Sequence, residues 1–206
     1  KPIITLFHWD TPLALMNDYN GWVSEEIQAD FLAYAQLIIS RYDKYVPIWI
    51  TVNEPQVFCG DEYPGFPSGY WPQYGVTGLR AQYYCGHNVL LSHAAVVDWY
   101  RNEFKGTGRI TFKNSANNYI GNTTSAADTA AVARGNDFQL GWFNSPVWQT
   151  GDYPASLRDT LGDLLPHFTA AQSAMILGSC DFFAIDGYTT DVIAALPEGT
   201  AACASN

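Results

Sequence analysis

Charge is scarce in this chain of 206 residues, and positive charge scarcest: charged residues make up 15%, with 10 Lys and Arg against 20 Asp and Glu, a formal balance of −10. A chain so poor in cations has no basic stripe to neutralise phosphates, which argues against nucleic acid as a partner. No apolar run is long enough to span a bilayer, so no membrane partner is expected. The cysteines are few and scattered (Cys59, Cys85, Cys180, Cys203), without a CxxC or any metal-type spacing. They read as buried free thiols rather than disulfides, and no metal site is expected. There is neither a GxGxxG nor a Walker A motif, which weakens a nucleotide-binding reading, and no cofactor is expected. Internal repeats and low-complexity tracts are also missing.

Aromatic residues are abundant at 15%, including Trp 7 and Tyr 13. Such content suits a carbohydrate cleft, where ring faces meet sugars, and suits an aromatic-rich core equally well. The sequon Asn122-Thr123-Thr124 would accept a glycan only in a secreted protein. No signal peptide is visible, because the strand-like "PIITLF" stands at the start, so extracellular and cytoplasmic locations both stay open.

Periodicity divides the chain into alternating elements. Ile3 to Phe7 is an apolar, β-rich run ending at His8-Trp9-Asp10. Ser24 precedes a helix with Glu25 and Glu26 in its first turn, and Ile27, Phe31, Tyr34, Ile38 and Tyr42 are predicted to share its apolar face. Ile48 to Val52 is apolar on both faces, as a parallel strand requires, and stops at Asn53-Glu54-Pro55. Residues 58–77 carry too much Gly and Pro for regular structure and form a long aromatic loop, a functional one on its length and composition. A helix over Leu79 to Phe104 precedes the strand "RITFK" at 109–113, and a helical stretch spans Ala126 to Phe143. Two short helical segments separated at Pro166 lead to the strand "DFFAID" at 181–186.

Strand, helix, strand in alternation, with crossovers of this length, indicates a parallel sheet with helices outside. Four strands do not choose between an open doubly wound sheet and part of a (β/α)8 barrel. The strand ends carry more information. His8-Trp9-Asp10, Asn53-Glu54, and Asp186 with Tyr188 all lie at C-terminal ends of strands, where barrels build their active sites.

"TLFHWDTPLAL", "YNGW", "WITVNEP", "GWFNSPVWQTGDYP" and "DFFAIDGYT" together resemble, in that order, the signatures of glycoside hydrolase family 1, the retaining β-glucosidases and their relatives. The resemblance runs from Ile3 to Thr190 and implies the fold class α/β, part of a (β/α)8 TIM barrel, with about four parallel strands and outer helices. It covers the family's third to sixth strands, so residues 1–206 are expected to form a partial glycoside hydrolase domain lacking the N-terminal and C-terminal barrel parts. Carried across residue by residue, the resemblance implies that Glu54 is the catalytic acid/base and that Asn53 binds the sugar 2-hydroxyl. It further implies that His8 and Trp9 hold the 3-hydroxyl region and that Tyr188 bonds the nucleophile. The implied partners are a β-glucoside substrate, glucose as product, and a missing barrel half from another chain, a second copy or a longer precursor.

Retention needs two carboxyl groups about 5–5.5 Å apart. No nucleophile follows from this sequence: Glu62, Glu103 and Glu198 are the later glutamates, and none ends an apolar strand. Asp186-Gly187 also departs from the family pattern of Asn at that point, placing an extra negative charge near the site. Two functions are therefore carried forward. One is hydrolysis of terminal β-D-glucosides with retention, this chain supplying the acid/base half and being inactive alone. The other is a catalytically inactive truncated barrel that binds sugar weakly or serves assembly. An unrelated open α/β sheet is a third expectation. Tyr63, Phe66, Tyr70 and Trp71 either line an aglycone subsite or pack on the surface. Trp142, Trp148, His87, His93 and Asp10 read as structural.

Overall fold

A computed structural model describes residues 1–60 and 78–197. β1 (Ile3–Phe7) leads through α1 (Leu13–Tyr19) to α2 (Ile27–Tyr42) and β2 (Ile48–Asn53). Glu54 alone separates β2 from α3 (Pro55–Cys59), and α4 (Gly78–Asn102) precedes β3 (Arg109–Ser115). β4 (Asn118–Gly121) and α5 (Ala126–Asn136) follow, then the single-turn α6 (Trp142–Asn144), flanked by wide π-type turns at Asp137–Gly141 and Ser145–Gln149. α7 (Ala155–Leu161), α8 (Ala170–Ile176), β5 (Ile185–Asp186) and β6 (Thr190–Ile193) end the order.

The main sheet is parallel throughout, in the order β1-β2-β3-β5. Strands adjacent in space are successive in the chain, apart from β4, which pairs with β6 in a two-stranded sheet that the sequence did not lead us to expect. This is part of a (β/α)8 barrel, its helices packed on one face. Its core joins Trp49, Val52 and Ile110 of the strands to Phe31 and Ile39 of α2, Val97 and Tyr100 of α4, and Leu157 and Ile176 beyond. Full burial of a side chain of this size contributes about 1.5–3 kcal/mol. The open sheet has two edges, β1 and β5, and Ile3 (58% exposed), Phe183 (51%) and Ile185 (44%) stand bare on or beside them.

Several expectations change. The buried stripe of α2 is Ile27, Phe31, Ala35 and Ile39, whereas Tyr34 and Tyr42 are exposed. A strict i, i+4 row lets the small Ala35 bring the helix close, and Tyr34 reaches back only with its hydroxyl, to the Leu6 carbonyl at 3.0 Å. The helix predicted to Phe143 turns π-type from Asp137 onward. The last strand is shorter than 181–186 because its first residues meet β3 partly through side chains. Asp181 accepts the Ile110 N–H at 2.7 Å, and the Thr111 hydroxyl donates to the Phe182 carbonyl at 2.7 Å, which interrupts a regular ladder.

The cysteine expectation is corrected most plainly: Cys59 and Cys85 form a disulfide, with Cα atoms 5.5 Å apart. Cys59 ends α3 and Cys85 lies on the buried face of α4, so only the packing of these helices brings them together. Gly86, the next residue, lets α6 pack on α4, since a Cβ there would meet the Trp142 ring at 2.5 Å. Cys180 is free and buried, as expected, against the ring of His93. Cys203 lies outside the described residues, as do Tyr63, Phe66, Tyr70, Trp71, Glu62 and Glu198.

Candidate active site

β2 carries the central residues. In its pairing with β3, Ile50 faces Thr111 and Asn53 faces Lys113, so three steps on β2 match two on β3. The extra residue is a bulge, which bends the strand and re-aims the side chains beyond it. Those side chains are Asn53 and Glu54. Glu54 then adopts left-handed backbone angles (φ 45, ψ 59) directly before Pro55. A non-glycine residue there costs on the order of 1–3 kcal/mol and persists only where surrounding contacts hold it. The hold is visible: the Glu54 N–H donates to the Lys113 carbonyl at 2.6 Å, and its own carbonyl accepts the first N–H bonds of α3.

Glu54 is 6% exposed and Asn53 1%. The Asn53 amide nitrogen donates to Glu54 Oε2 at 3.2 Å and to His8 Nε2 at 3.2 Å. Trp9, also left-handed at φ 75, donates its indole N–H to the Asn53 carbonyl at 2.8 Å, so its grip on the site runs through β2. The Tyr188 hydroxyl, from the connection between β5 and β6, donates to Glu54 Oε1 at 3.3 Å although the residue is 71% exposed. All five residues singled out in the sequence thus meet in one place. Tyr188, expected by resemblance against the nucleophile, here touches Glu54. Asp10 accepts the His8 N–H at 3.3 Å and shapes the loop, and His87 and His93 lie among packing side chains.

Burial pushes the Glu54 carboxyl above its ordinary value, and the neighbouring Asp186 adds to this, by charge and by accepting a hydrogen bond from the protonated form. Hydrogen bonds from Ser115 and Tyr188 pull the other way. The net direction is upward, which favours a protonated Glu54. The Glu54 charge in turn raises the Tyr188 phenol, keeping it a donor. Asp186 is paired with Lys113, Nζ to Oδ2 at 2.6 Å. Lys113 and Ser115 were not singled out in the sequence, although the strand-end rule that selected Asn53 applies equally to the end of β3. Beside Gln56 and Tyr188 opens a cavity of about 750 Å³, lined also by Ser115, Tyr119, Trp142 and Asp191. One acceptor, Asn53 Oδ1, is buried without a hydrogen-bond partner among the described residues.

The fold and site together define part of an α/β barrel with a strained, buried carboxyl at the end of a central strand. Comparison with known proteins places it further: the model of glycosyl hydrolase family 1 matches residues 1–205, and the chain belongs to that family. Beta-glucosidase 40 of Arabidopsis thaliana is 38% identical over 200 residues, which cover 92% of this chain and 39% of that protein. Avenacosidase 2 of Avena sativa is 39% identical over 205 residues, 92% of this chain and 34% of its own length. Among solved structures, a rice beta-glucosidase superposes with a TM-score of 0.86 at 35% identity, covering 93% of this chain and 42% of that one. A beta-glucosidase from the fungus Humicola insolens in complex with glucose superposes at 0.82 and 34% identity, over 93% and 42%. The chain spans about two-fifths of the length of these relatives.

Proposed function

We propose that this chain supplies the acid/base half of a retaining β-glucosidase site that hydrolyses terminal β-D-glucosides. The observation that carries the reading is Glu54 itself: buried, held in left-handed backbone, hydrogen-bonded by Asn53 and Tyr188, and driven toward its protonated form. A glycosidic oxygen leaves poorly unless protonated, and a carboxyl that keeps its proton near neutrality is suited to deliver it. The unpartnered Asn53 Oδ1 is an acceptor for a sugar hydroxyl, and His8 stands beside it. The cavity next to Gln56 offers room for the leaving group.

The nucleophile comes from elsewhere in this reading. Asp186 is near enough to share a hydrogen bond with Glu54, which leaves no room for a sugar carbon between the two carboxyls. The remaining barrel strands, from a longer precursor, another chain or a second copy, would pair with β1 and β5 and cover Ile3, Phe183 and Ile185. Residues 1–206 are then the central part of one glycoside hydrolase domain.

The test is Glu54→Gln in the complete protein, assayed on aryl β-glucosides of graded leaving-group ability. Loss of a general acid lowers turnover about 10²–10⁴-fold, most for poor leaving groups and least for activated ones. Unchanged hydrolysis of a poor leaving group would remove Glu54 from the role. The second reading, an inactive sugar-binding or assembly module, is favoured by the absence of a second suitably spaced strand-end carboxylate among the described residues. It requires a native chain whose mass matches 206 residues.

A further inference from the structure

Two charged residues beside Glu54 have been given no catalytic role so far. Lys113 stands opposite Asn53 in the β2–β3 register, and Asp186 stands opposite Ser115 in the β3–β5 register. Paired positions in parallel strands project to the same side of the sheet, so Lys113, Ser115 and Asp186 share a side with Asn53. Glu54, turned by its left-handed backbone just past β2, comes to that side against the Asn53 amide. The charged ends of Lys113 and Asp186 meet at 2.6 Å, with the side chains 25% and 28% exposed, a half-shielded setting in which charges act more strongly than at an open surface. Asp186 also reaches Glu54 and accepts a hydrogen bond from its protonated carboxyl. Lys113, Asp186 and Glu54 therefore form a chain of cation, anion and acid across three neighbouring strands.

We propose that Lys113 and Asp186 are a positioning pair that sets the charge facing Glu54, Asp186 opposing the ionisation of Glu54 and Lys113 limiting that opposition. This deepens, and rests on, the assignment of Glu54 as acid/base. Two carboxyls in hydrogen-bond contact share protons, and neither has a defined state unless something separates them. Lys113 separates them: its ammonium holds the Asp186 carboxylate in place at 2.6 Å, and the Asp186 charge opposes a second negative charge on Glu54. The other groups facing Glu54 do not replace this. His8 from the end of β1 acts only through the Asn53 amide, Tyr188 and Ser115 are hydrogen-bond partners, and α3 brings Gln56, which is uncharged. The pair acts through Glu54 and need not touch substrate.

The two halves of the pair act on the Glu54 proton with opposite sign, and this distinguishes the proposal from a salt bridge that merely holds strands together. Asp186→Asn removes the negative charge and should move the alkaline limb of kcat/KM, measured on an aryl β-glucoside with a poor leaving group, down by on the order of one pH unit. Activity above that limb would fall about tenfold. Lys113→Met removes the cation and should move the same limb up. A structural role predicts a similar loss from either variant at every pH, with the limb unmoved, and that result overturns the proposal. If Lys113→Met does not fold, Lys113→Gln serves. The same displacements should appear in the NMR titration of ¹³C-labelled glutamate carboxyls in the complete protein, with the Glu54 signal identified by its absence in Glu54→Gln. That measurement needs no turnover, so it reports on the pair even if the acid/base assignment fails. If Glu54→Gln destroys hydrolysis while both pair variants leave limb and titration unmoved, only the present proposal falls.

Discussion

Reduction of the Cys59–Cys85 bridge should weaken the fold by a calculable amount while leaving Glu54 in position. The bridge joins residues 26 apart. Closing a loop of that length removes about 12 cal/mol/K from the unfolded chain, or about 3.5 kcal/mol at 25 °C. It ties the far end of α3, five residues after Glu54, to a buried turn of α4. Yet Glu54 is held independently by the Lys113 carbonyl, by Asn53 and by Tyr188. Urea unfolding of the complete protein, native against reduced, should show the free-energy loss with little change in hydrolysis under conditions where the protein stays folded. A Cys59→Ala/Cys85→Ala variant should be insensitive to reductant. Trypsin should release, without reduction, residues 45–80 linked to residues 81–101. Those peptides emerging unlinked, or a stability change on reduction below about 1 kcal/mol, would refute the reasoning.

Other outcomes follow from buried polar groups. Asp43 Oδ1 accepts from the Trp49 indole at 2.9 Å and the Tyr100 hydroxyl at 2.8 Å, both residues being almost fully buried. Asp43→Ala strands two donors and should cost about 2–6 kcal/mol in denaturant unfolding, whereas Asp43→Asn, which keeps an acceptor, should cost clearly less. Burial lowers His87 to about 4 and His93 to about 3, so both are neutral in the fold and charge on unfolding. A depressed folded value gives stability that is present above about pH 6.5 and lost as pH falls toward the folded values. Near pH 5 each histidine should contribute a slope approaching about 1.4 kcal/mol per pH unit, and the His87 contribution should flatten as pH nears 4. His87→Gln should remove one such contribution from the stability–pH curve, and an unchanged slope would contradict it.

Much of the site could be read along the chain because its residues sit where runs of apolar residues stop. β1 ends into His8-Trp9, β2 into Asn53-Glu54, and β5 is followed closely by Tyr188; parallel strands place all those ends on one side. Lys113 escaped notice because "RITFK" ends in a residue that, taken alone, looks like an ordinary solvated lysine. The disulfide escaped because the packing of α3 on α4 cannot be inferred from a spacing of 26. Tyr34 and Tyr42 misled for a related reason: an amphipathic pattern marks a broad stripe, and only the position of the sheet selects which part of it is buried.

What the sequence by itself determined is the order of the four main-sheet strands and of the longer helices between them, the parallel sense of that sheet, and the identity of the carboxyl at the end of β2. These follow from local periodicity and from motifs that are continuous in the chain. Tertiary structure alone decided how that carboxyl behaves. The bulge that turns Glu54, the Asp186 charge that raises it, the Lys113 ammonium that stabilises Asp186, and the bridge behind α3 all come from residues distant in sequence. Electrostatic coupling depends on separation in space and on exclusion of water, and neither quantity exists until the strands lie side by side.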